Sequence, residues 1–224
     1  MHSLKNKNVL IVGLGKSGIA AAKFVAARGA LVTVTDMRSE SELQEELEAL
    51  KDVKMKTQFG NHFDALFENT DFVVASPGVP TDNPGIVRAV SRGIPVVNEM
   101  ELAVREISTP IIAVTGTNGK TTTTELIGHL LQSCGIKHCV AGNIGTPLVG
   151  IVDEANAADW VVLEVSSFQL ETMESLRPAV AVWLNATPDH LDRHESFESY
   201  VDLKAKLFAP LNNESWGVYN AADE

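Results

Sequence analysis

Thr109-Pro110-Ile111-Ile112-Ala113-Val114-Thr115-Gly116-Thr117-Asn118-Gly119-Lys120-Thr121-Thr122 decides how the rest of the chain is read. Ile111 to Thr115 is a β-branched, apolar run of the kind that forms a buried strand. It breaks at a loop with two glycines and re-forms as a helix from about Lys120, with Leu126, Ile127, Leu130 and Leu131 expected on its inward face. Strand, glycine-containing loop, Lys-Thr and helix is the layout of a phosphate-binding P-loop. Glycines let backbone N–H groups converge on phosphate oxygens, and the helix N-terminus adds partial positive charge. Lys120 can reach terminal phosphates, and the Thr121 hydroxyl can ligate Mg²⁺. The common spacing would put the first glycine at position 114, where this chain has Val114; it arrives two residues later as Gly116. A glycine turn before an ordinary helix is the plainer alternative, and an ATP-type site the better reading.

Working outward, the chain has 224 residues, enough for one large domain or two of ordinary size. With 45% hydrophobic and 21% charged residues, it can bury a sizeable core. A formal net charge of −11 argues against nucleic-acid or anionic-membrane surfaces. No apolar run approaches the roughly 18 residues that span a bilayer. Cys134 and Cys139, the two cysteines, match no zinc or redox spacing and are expected to be buried free thiols of a cytoplasmic protein.

Upstream, Asn8 to Val12 reads as a buried strand, followed by Gly13-Leu14-Gly15-Lys16-Ser17-Gly18 and a helix over Ile19 to Arg28 that Gly29 ends. Leu31 to Thr35 is the next strand and runs into Asp36. Ser39-Glu40-Ser41-Glu42 is a capping box opening a helix with Leu43, Leu47 and Leu50 inward. Strands follow at 53–57, 72–75 and 95–97, with helices near 62–67 and 85–91. Such alternation predicts a doubly wound parallel sheet. The GxGxxG between a strand and a helix, with Asp36 ending the following strand, fits a diphosphate of some nucleotide; a glycine turn kept for packing is the alternative. Asp36 with Arg38 could hold a ribose or another polar group. Ser76-Pro77-Gly78 follows a strand at the same sheet edge, or is only a stiff turn.

Downstream, 136–141 reads as a strand leading to Gly142-Asn143-Ile144-Gly145, where Asn143 is either an amide donor to a ligand or a turn residue. Trp160-Val161-Val162-Leu163-Glu164 is a strand ending in an acid, so Glu164 is a Mg²⁺ ligand of Walker-B kind or a charge marking the strand end. A strand over 179–184 empties into Asn185-Ala186-Thr187-Pro188-Asp189-His190-Leu191-Asp192, in which His190 is either solvated or a metal or phosphate contact. On the helix over about 196–208, Phe197, Tyr200, Val201, Leu207 and Phe208 form the apolar stripe, and Lys204 stands on it while Lys206 faces out. An inward lysine tends toward a neutral, nucleophilic amine that can react with CO₂. From the residues alone, snorkelling is the preferred account.

Together these segments resemble the Mur ligase family over residues 8–224. Thr115 to Thr121 is similar to its short P-loop, Gly142 to Gly145 to a loop contacting nucleotide and substrate, and Asn185 to Asp192 to the segment bearing a metal-binding histidine. Glu164-Val165-Ser166-Ser167-Phe168-Gln169-Leu170-Glu171 resembles the run of the branch that adds D-glutamate. The resemblance implies a Rossmann-like domain over 1–108 that binds UDP-N-acetylmuramoyl-L-alanine, and a P-loop ATPase domain over 109–224 that is just complete or cut off near its end. It implies ATP-dependent ligation of D-glutamate through an acyl phosphate in cytoplasmic peptidoglycan synthesis, by a monomer, with no NAD. It further assigns Gly116, Thr117, Asn118, Gly119, Lys120, Thr121 and Thr122 to ATP; Gly15, Lys16, Ser17, Asp36, Arg38, Ser76, Pro77, Gly78, Asn143 and Ser166 to the UDP substrate; and Lys120, Lys204, His190 and Asn143 to catalysis. Two Mg²⁺ ions would be held by Thr121, Glu164, His190 and Lys204, the lysine as its carbamate, which overturns the snorkelling account. Family chains carry a further C-terminal domain that closes over ATP and holds the amino acid, so this length is expected to be a two-domain form without ligase activity. Folylpolyglutamate synthases share the P-loop and lysine logic but lack the GxGxxG domain. A non-enzymatic NAD-sensing P-loop module has no need of Glu164, His190 and an inward Lys204 at one sheet edge.

Overall fold

The structure, a computed structural model, describes residues 4–60, 64–190, 193–194 and 196–222. The chain divides into two compact units, Met1–Leu102 and Ala103–Glu224.

The first unit is built on a parallel sheet in the order β3-β2-β1-β4-β5. Its strands are β1 (Asn8–Val12), β2 (Leu31–Asp36), β3 (Met55–Phe59), β4 (Phe72–Ala75) and β5 (Val96–Val97). Val9 to Val12 are all buried, because a parallel strand with helices on both faces must be apolar on both. Helix α1 (Lys16–Ala27) begins inside the glycine motif, three residues before the expected start at Ile19, and ends where Gly29 takes φ +79°. The Ser39–Glu42 capping box forms but opens a single 3-10 turn; α2 (Gln44–Glu48) follows only after Leu43, whose φ of −108° interrupts the helix. Leu43 and Leu50 are buried and Leu47 half-buried. Strand β3 starts at Met55 rather than Val53, since the Val53 N–H is still turned back onto the Leu50 carbonyl at 2.8 Å. The third helix is α3 (Asp64–Glu68), and residues 62 and 63 of the expected element lie outside the described residues. Then come α4 (Pro84–Ser91) and α5 (Glu99–Val104), the latter straddling the division between units.

The second unit repeats the architecture with the order β10-β9-β6-β8-β7, all parallel. Its elements are β6 (Ile111–Thr115), α6 (Lys120–Ser133), β7 (His138–Gly142), α7 (Val152–Asn156), β8 (Trp160–Glu164), α8 (Ser167–Leu170), β9 (Val180–Trp183), α9 (Phe197–Ala205) and β10 (Trp216–Tyr219). The P-loop strand and helix start where the sequence places them. Strand β7 begins two residues after the expected Ile136, because Gly135 (φ +71°) caps α6 and the Ile136 N–H bonds the Leu131 carbonyl.

Of the four residues expected on the inward face of α6, Ile127 and Leu131 lie on it and Leu126 and Leu130 do not. Leu126 and Leu130 are 52% and 55% exposed, and the buried positions are Thr124 and Gly128. At 100° per residue, Leu126 and Leu130 lie about 200° and 240° round from Thr124, whereas Ile127, Leu131 and Gly128 fall within about 60° of it. A methyl at Gly128 would meet Val140 Cγ2 at 2.7 Å, so the helix approaches the sheet along a line where a side chain does not fit. Nor are the thiols both buried: Cys134, at the exposed C-cap of α6, is open to solvent, and Cys139 on β7 is half-buried, its pKa raised by burial. Among the described residues no helix is long and apolar enough to cross a membrane.

Candidate active site

In the second unit, the carboxyl ends of β6, β7 and β8 and the inner face of α9 bring functional side chains together. Gly116 and Gly119 adopt φ +151° and +82°, conformations open to glycine and strained for other residues. The Lys120 ammonium folds back on its own loop, donating to the carbonyls of Gly116 (3.0 Å) and Thr117 (2.8 Å). At the next residue, the Thr121 hydroxyl donates to Glu164 Oε2 at 2.9 Å. Asn143 Nδ2 donates to the other carboxylate oxygen, also at 2.9 Å, and the Asn143 N–H bonds the Glu164 carbonyl. Glu164 is only 1% exposed, so its charge is held by this hydroxyl and amide. Close approach of the two strand ends requires Gly142, where a Cβ would lie 2.2 Å from the Glu164 carbonyl oxygen.

Lys204 enters from α9. It is 1% exposed, and its ammonium donates to the Gly116 carbonyl at 2.8 Å, the same oxygen that Lys120 uses. It also lies 4.4 Å from the centroid of the Tyr200 ring. Burial, reinforced by the positive charge of Lys120 and only partly offset by Asp189, lowers its pKa to about 7. An amine with that pKa is half neutral near pH 7, the form that reacts with CO₂.

Thr117 and Asn118 turn their N–H groups away from the helix start. Both reach Asn185 Oδ1, at 3.2 and 2.9 Å, and Asn185 Nδ2 returns a hydrogen bond to the Asn118 carbonyl at 3.1 Å. The Thr117 hydroxyl is 3.0 Å from the Tyr200 hydroxyl and accepts the Thr187 N–H at 3.0 Å. Asn185, Thr187 and Tyr200 were visible in the sequence only as neighbours of His190 and Lys204. No spacing rule announces a contact across 67 or 68 residues.

His190 makes no hydrogen bond to Lys204 or Glu164 among the described residues. It is half-exposed at φ +52°, its Nε2 3.6 Å from Asp189 Oδ2 and its ring 5.0 Å from that of Phe168. It joins the cluster indirectly: Phe168 stacks on His194 at 5.4 Å, and His194 packs on Tyr200 and contacts Ser167 Oγ at 3.0 Å. Leu191 and Asp192 of the same segment lie outside the described residues. Ser166 caps α8, its hydroxyl bonded to Gln169 Oε1 at 2.9 Å.

Thr121 and Glu164 offer hard oxygen donors side by side, a set that suits Mg²⁺. Lys204 as an ammonium is no ligand and fits a metal only after conversion to a carbamate. Among the described residues no three His, Cys, Asp or Glu side chains gather as a ready metal site.

In the first unit the glycine loop also ends its strand. A Cβ on Gly18 would sit 2.0 Å from the Gly13 carbonyl oxygen, while one on Gly15 would meet nothing within 4 Å. Gly18 thus serves packing, and Gly15 leaves the loop open beside Lys16 and Ser17 at the start of α1. Asp36 is already engaged. Its Oδ2 accepts the Leu14 N–H at 2.7 Å and Arg38 Nη2 at 3.1 Å, and its Oδ1 accepts the Arg38 N–H and Nε at 2.9 and 3.2 Å. Burial works to raise the Asp36 pKa, but the Arg38 and Leu14 hydrogen bonds outweigh it and hold the carboxyl below its ordinary range. Arg38 is tied in turn to Glu46 (2.8 Å) and the Leu14 carbonyl (3.1 Å). Ser76 donates to the Gly13 carbonyl at 2.9 Å, with Pro77 and Gly78 in the turn beyond.

Comparison with known proteins follows this division. Residues 7–98 match the Mur ligase MurD-like N-terminal domain, and residues 114–224 the Mur ligase middle domain. The chain is 49% identical over 221 residues to the UDP-N-acetylmuramoylalanine–D-glutamate ligase of Koribacter versatilis, covering 99% of this chain and 49% of that protein. It is 47% identical over 219 residues to the ligase of the same name from Desulfosudis oleivorans, covering 98% and 48%. The chain therefore spans about half the length of the curated relatives it matches. Among solved structures, the Neisseria meningitides UDP-N-acetylmuramate:L-alanyl-gamma-D-glutamyl-meso-diaminopimelate ligase shares the fold, with TM-score 0.64 at 20% identity over 98% of this chain and 72% of that one. The UDP-N-acetylmuramate-alanine ligase of Thermotoga maritima aligns with TM-score 0.57 at 25% identity, covering 97% and 50%. With both units matched in order, and the P-loop, Glu164 and Lys204 gathered at one sheet edge, the chain belongs to the Mur ligase family.

Proposed function

We propose that this chain carries the uridine-nucleotide and ATP sites of an ATP-dependent ligase that adds D-glutamate to UDP-N-acetylmuramoyl-L-alanine in cytoplasmic peptidoglycan precursor synthesis. In this reading residues 1–108 bind the UDP substrate and residues 109–224 bind ATP, in a monomer. The observation that carries it is the convergence of Lys120, Thr121, Asn143, Glu164 and Lys204 on the end of β6. The names of the relatives support the choice of D-glutamate and of the UDP-sugar.

A carboxylate is a poor electrophile, so the substrate carboxylate oxygen first attacks the γ-phosphorus of ATP and ADP departs. The amine of D-glutamate then attacks the acyl carbon, loses a proton, and expels phosphate through a tetrahedral intermediate. The first step is governed by positioning and charge neutralisation. Lys120 exchanges its two loop carbonyls for phosphate oxygens, and the helix-start amides bind the rest. Thr121 and Glu164 would hold one Mg²⁺, and His190 with carbamylated Lys204 a second; such ions would supply neutralisation of charge on the phosphates and the substrate carboxylate. Carbamylation joins the neutral Lys204 amine to CO₂ with loss of a proton, turning a cation into an anionic oxygen ligand. Asn143 restrains Glu164 and presents its amide at the substrate end. Gly15, Lys16, Ser17, Arg38, Ser76, Pro77 and Gly78 would surround the uridine diphosphate and Ser166 the sugar-peptide end. Asp36 orders the loop through Leu14 and Arg38, and with both oxygens engaged it is poorly placed to select NAD.

The test is calorimetry on the chain with UDP-N-acetylmuramoyl-L-alanine and with NADH. Binding of the first and not the second is expected, and the reverse overturns the assignment. In a form as long as the relatives, ADP release should depend on that substrate and D-glutamate; Lys204→Ala should abolish it, and added bicarbonate should not restore it.

A further inference from the structure

We infer that Asn185 is a positioning residue for the phosphate-binding loop: it takes up the amides of Thr117 and Asn118 and leaves phosphate recognition to the amides from Gly119 to Thr122. The inference deepens the ATP-site reading above and rests on it.

A carboxamide has an oxygen with two lone pairs and a nitrogen with two donors. At Asn185 both sides are used on one loop. The oxygen accepts from Thr117 (3.2 Å) and Asn118 (2.9 Å), and the nitrogen donates to the Asn118 carbonyl (3.1 Å). The backbone joins the side chain, since the Asn185 carbonyl also accepts the Thr117 N–H at 3.1 Å and is itself held by Trp183 Nε1 at 3.1 Å. Leu184 closes the remaining space, with its Cβ 3.1 Å from where a Gly116 Cβ would stand. Strand β9 thus delivers a clamp to the first half of the loop.

The second half is left to the ligand. Among the described residues the N–H groups of Gly119, Lys120, Thr121 and Thr122 meet no protein acceptor, and three of them open α6, where a helix has unpaired donors. A glycine loop is costly to order on binding, and holding half of it in advance lowers that cost. The clamp is also neutral. A carboxylate at position 185 would accept the same two amides but would lose the bond to the Asn118 carbonyl and add a negative charge beside the phosphates.

The experiment uses the 224-residue chain and two variants, Asn185→Ala and Asn185→Asp. Backbone amide exchange is followed by NMR at Thr117 and Asn118, MgADP and adenosine affinities by calorimetry, and folding by thermal melting. In Asn185→Ala, exchange should rise at Asn118, which loses its acceptor, and less at Thr117, which keeps the Asn185 backbone carbonyl. MgADP affinity should fall about tenfold or more, the loss expected for one or two hydrogen bonds. In Asn185→Asp, protection of the two amides should be kept, while affinity falls for MgADP and not for adenosine. A purely structural residue would not separate adenosine from MgADP, nor amide protection from affinity. Unchanged exchange at Asn118 in Asn185→Ala, or MgADP affinity within twofold of the parent, overturns the inference. Failure of the parent chain to bind MgADP overturns the ATP-site reading and this inference with it, whereas binding by a parent whose variants match it overturns the Asn185 assignment alone.

Discussion

The sharpest consequence of the buried Lys204 concerns stability and pH. The side chain is 1% exposed and shares a carbonyl with Lys120, and its pKa falls from 10.5 to about 7. In the unfolded chain Lys204 keeps its ordinary affinity for a proton. Between pH 7 and 10 the unfolded state therefore binds a proton that the folded state has released, and stability rises with pH. The slope from one such group is at most ~1.4 kcal/mol per pH unit, so the gain from pH 7 to pH 9 is about 2–3 kcal/mol. Below about pH 7 both states are protonated and the penalty of burying the ammonium is present in full. Lys204→Met keeps the length and apolar stem and removes the titration. Urea unfolding of parent and variant from pH 6.5 to 9, in buffers stripped of CO₂, isolates the effect, because the difference between them cancels other titrating groups. The stability of the variant relative to the parent should be greatest at pH 6.5 and shrink steadily as pH rises. Parallel curves would refute the reasoning and mean that Lys204 stays protonated throughout; admitting ¹³C-bicarbonate at pH 8 should then produce no carbamate resonance, whereas the neutral amine should give one.

The glycine loop of the first unit makes a paired prediction. Gly18→Ala, whose methyl would meet the Gly13 carbonyl oxygen at 2.0 Å, should destabilise that unit by about 2–4 kcal/mol in urea unfolding. Gly15→Ala, with nothing within 4 Å of the added methyl, should change stability by less than about 1 kcal/mol yet weaken UDP binding about tenfold or more by calorimetry. Full UDP affinity in Gly15→Ala would detach this loop from the diphosphate. Glu164→Gln preserves the size of the group that meets Thr121 and Asn143 but removes its charge, so ADP affinity should lose its dependence on Mg²⁺ while metal-free ADP binding stays within about twofold. Gly128→Ala places a methyl 2.7 Å from Val140 Cγ2, and overpacking should cost about 1–3 kcal/mol, read as a lower melting temperature; a neutral or stabilising outcome would mean that α6 can lift from the sheet freely.

Much of the fold was legible because its signals are local. Ile111 to Thr115 and Phe72 to Ala75 are strands at the residues their β-branched runs indicate, and α6 starts at Lys120 because Gly119 supplies a turn that other residues resist. Boundaries slipped where a turn persisted beyond the helix that began it, as at Val53 and Ile136, each still bonded back to a leucine carbonyl. The exposure of Leu126 and Leu130 on α6 has a different reason. Ile127 and Leu131 lie on the sheet side, whereas Leu126 and Leu130 point away because α6 meets Val140 of another element through Gly128, and the helix's own periodicity does not record which line faces the sheet. The burial of Lys204 was readable from its place on an apolar stripe, yet the stripe cannot distinguish a snorkelling lysine from one aimed at the Gly116 carbonyl 88 residues away.

By itself the sequence determined two consecutive α/β units, the phosphate loop between β6 and α6, the acid closing β8, and membership of a ligase family. The units, the loop and the acid follow from hydrophobic period, glycine placement and short motifs, each carried within a few residues of chain, while the family rests on the resemblance of several segments taken together. Tertiary structure decided which groups are spoken for: the Asp36 carboxylate by Leu14 and Arg38, the Thr117 and Asn118 amides by Asn185, and Glu164 by Thr121 and Asn143. Hydrogen-bond capacity is consumed through space, by partners from 2 to 68 residues distant, and no local pattern records which donor reaches an acceptor first.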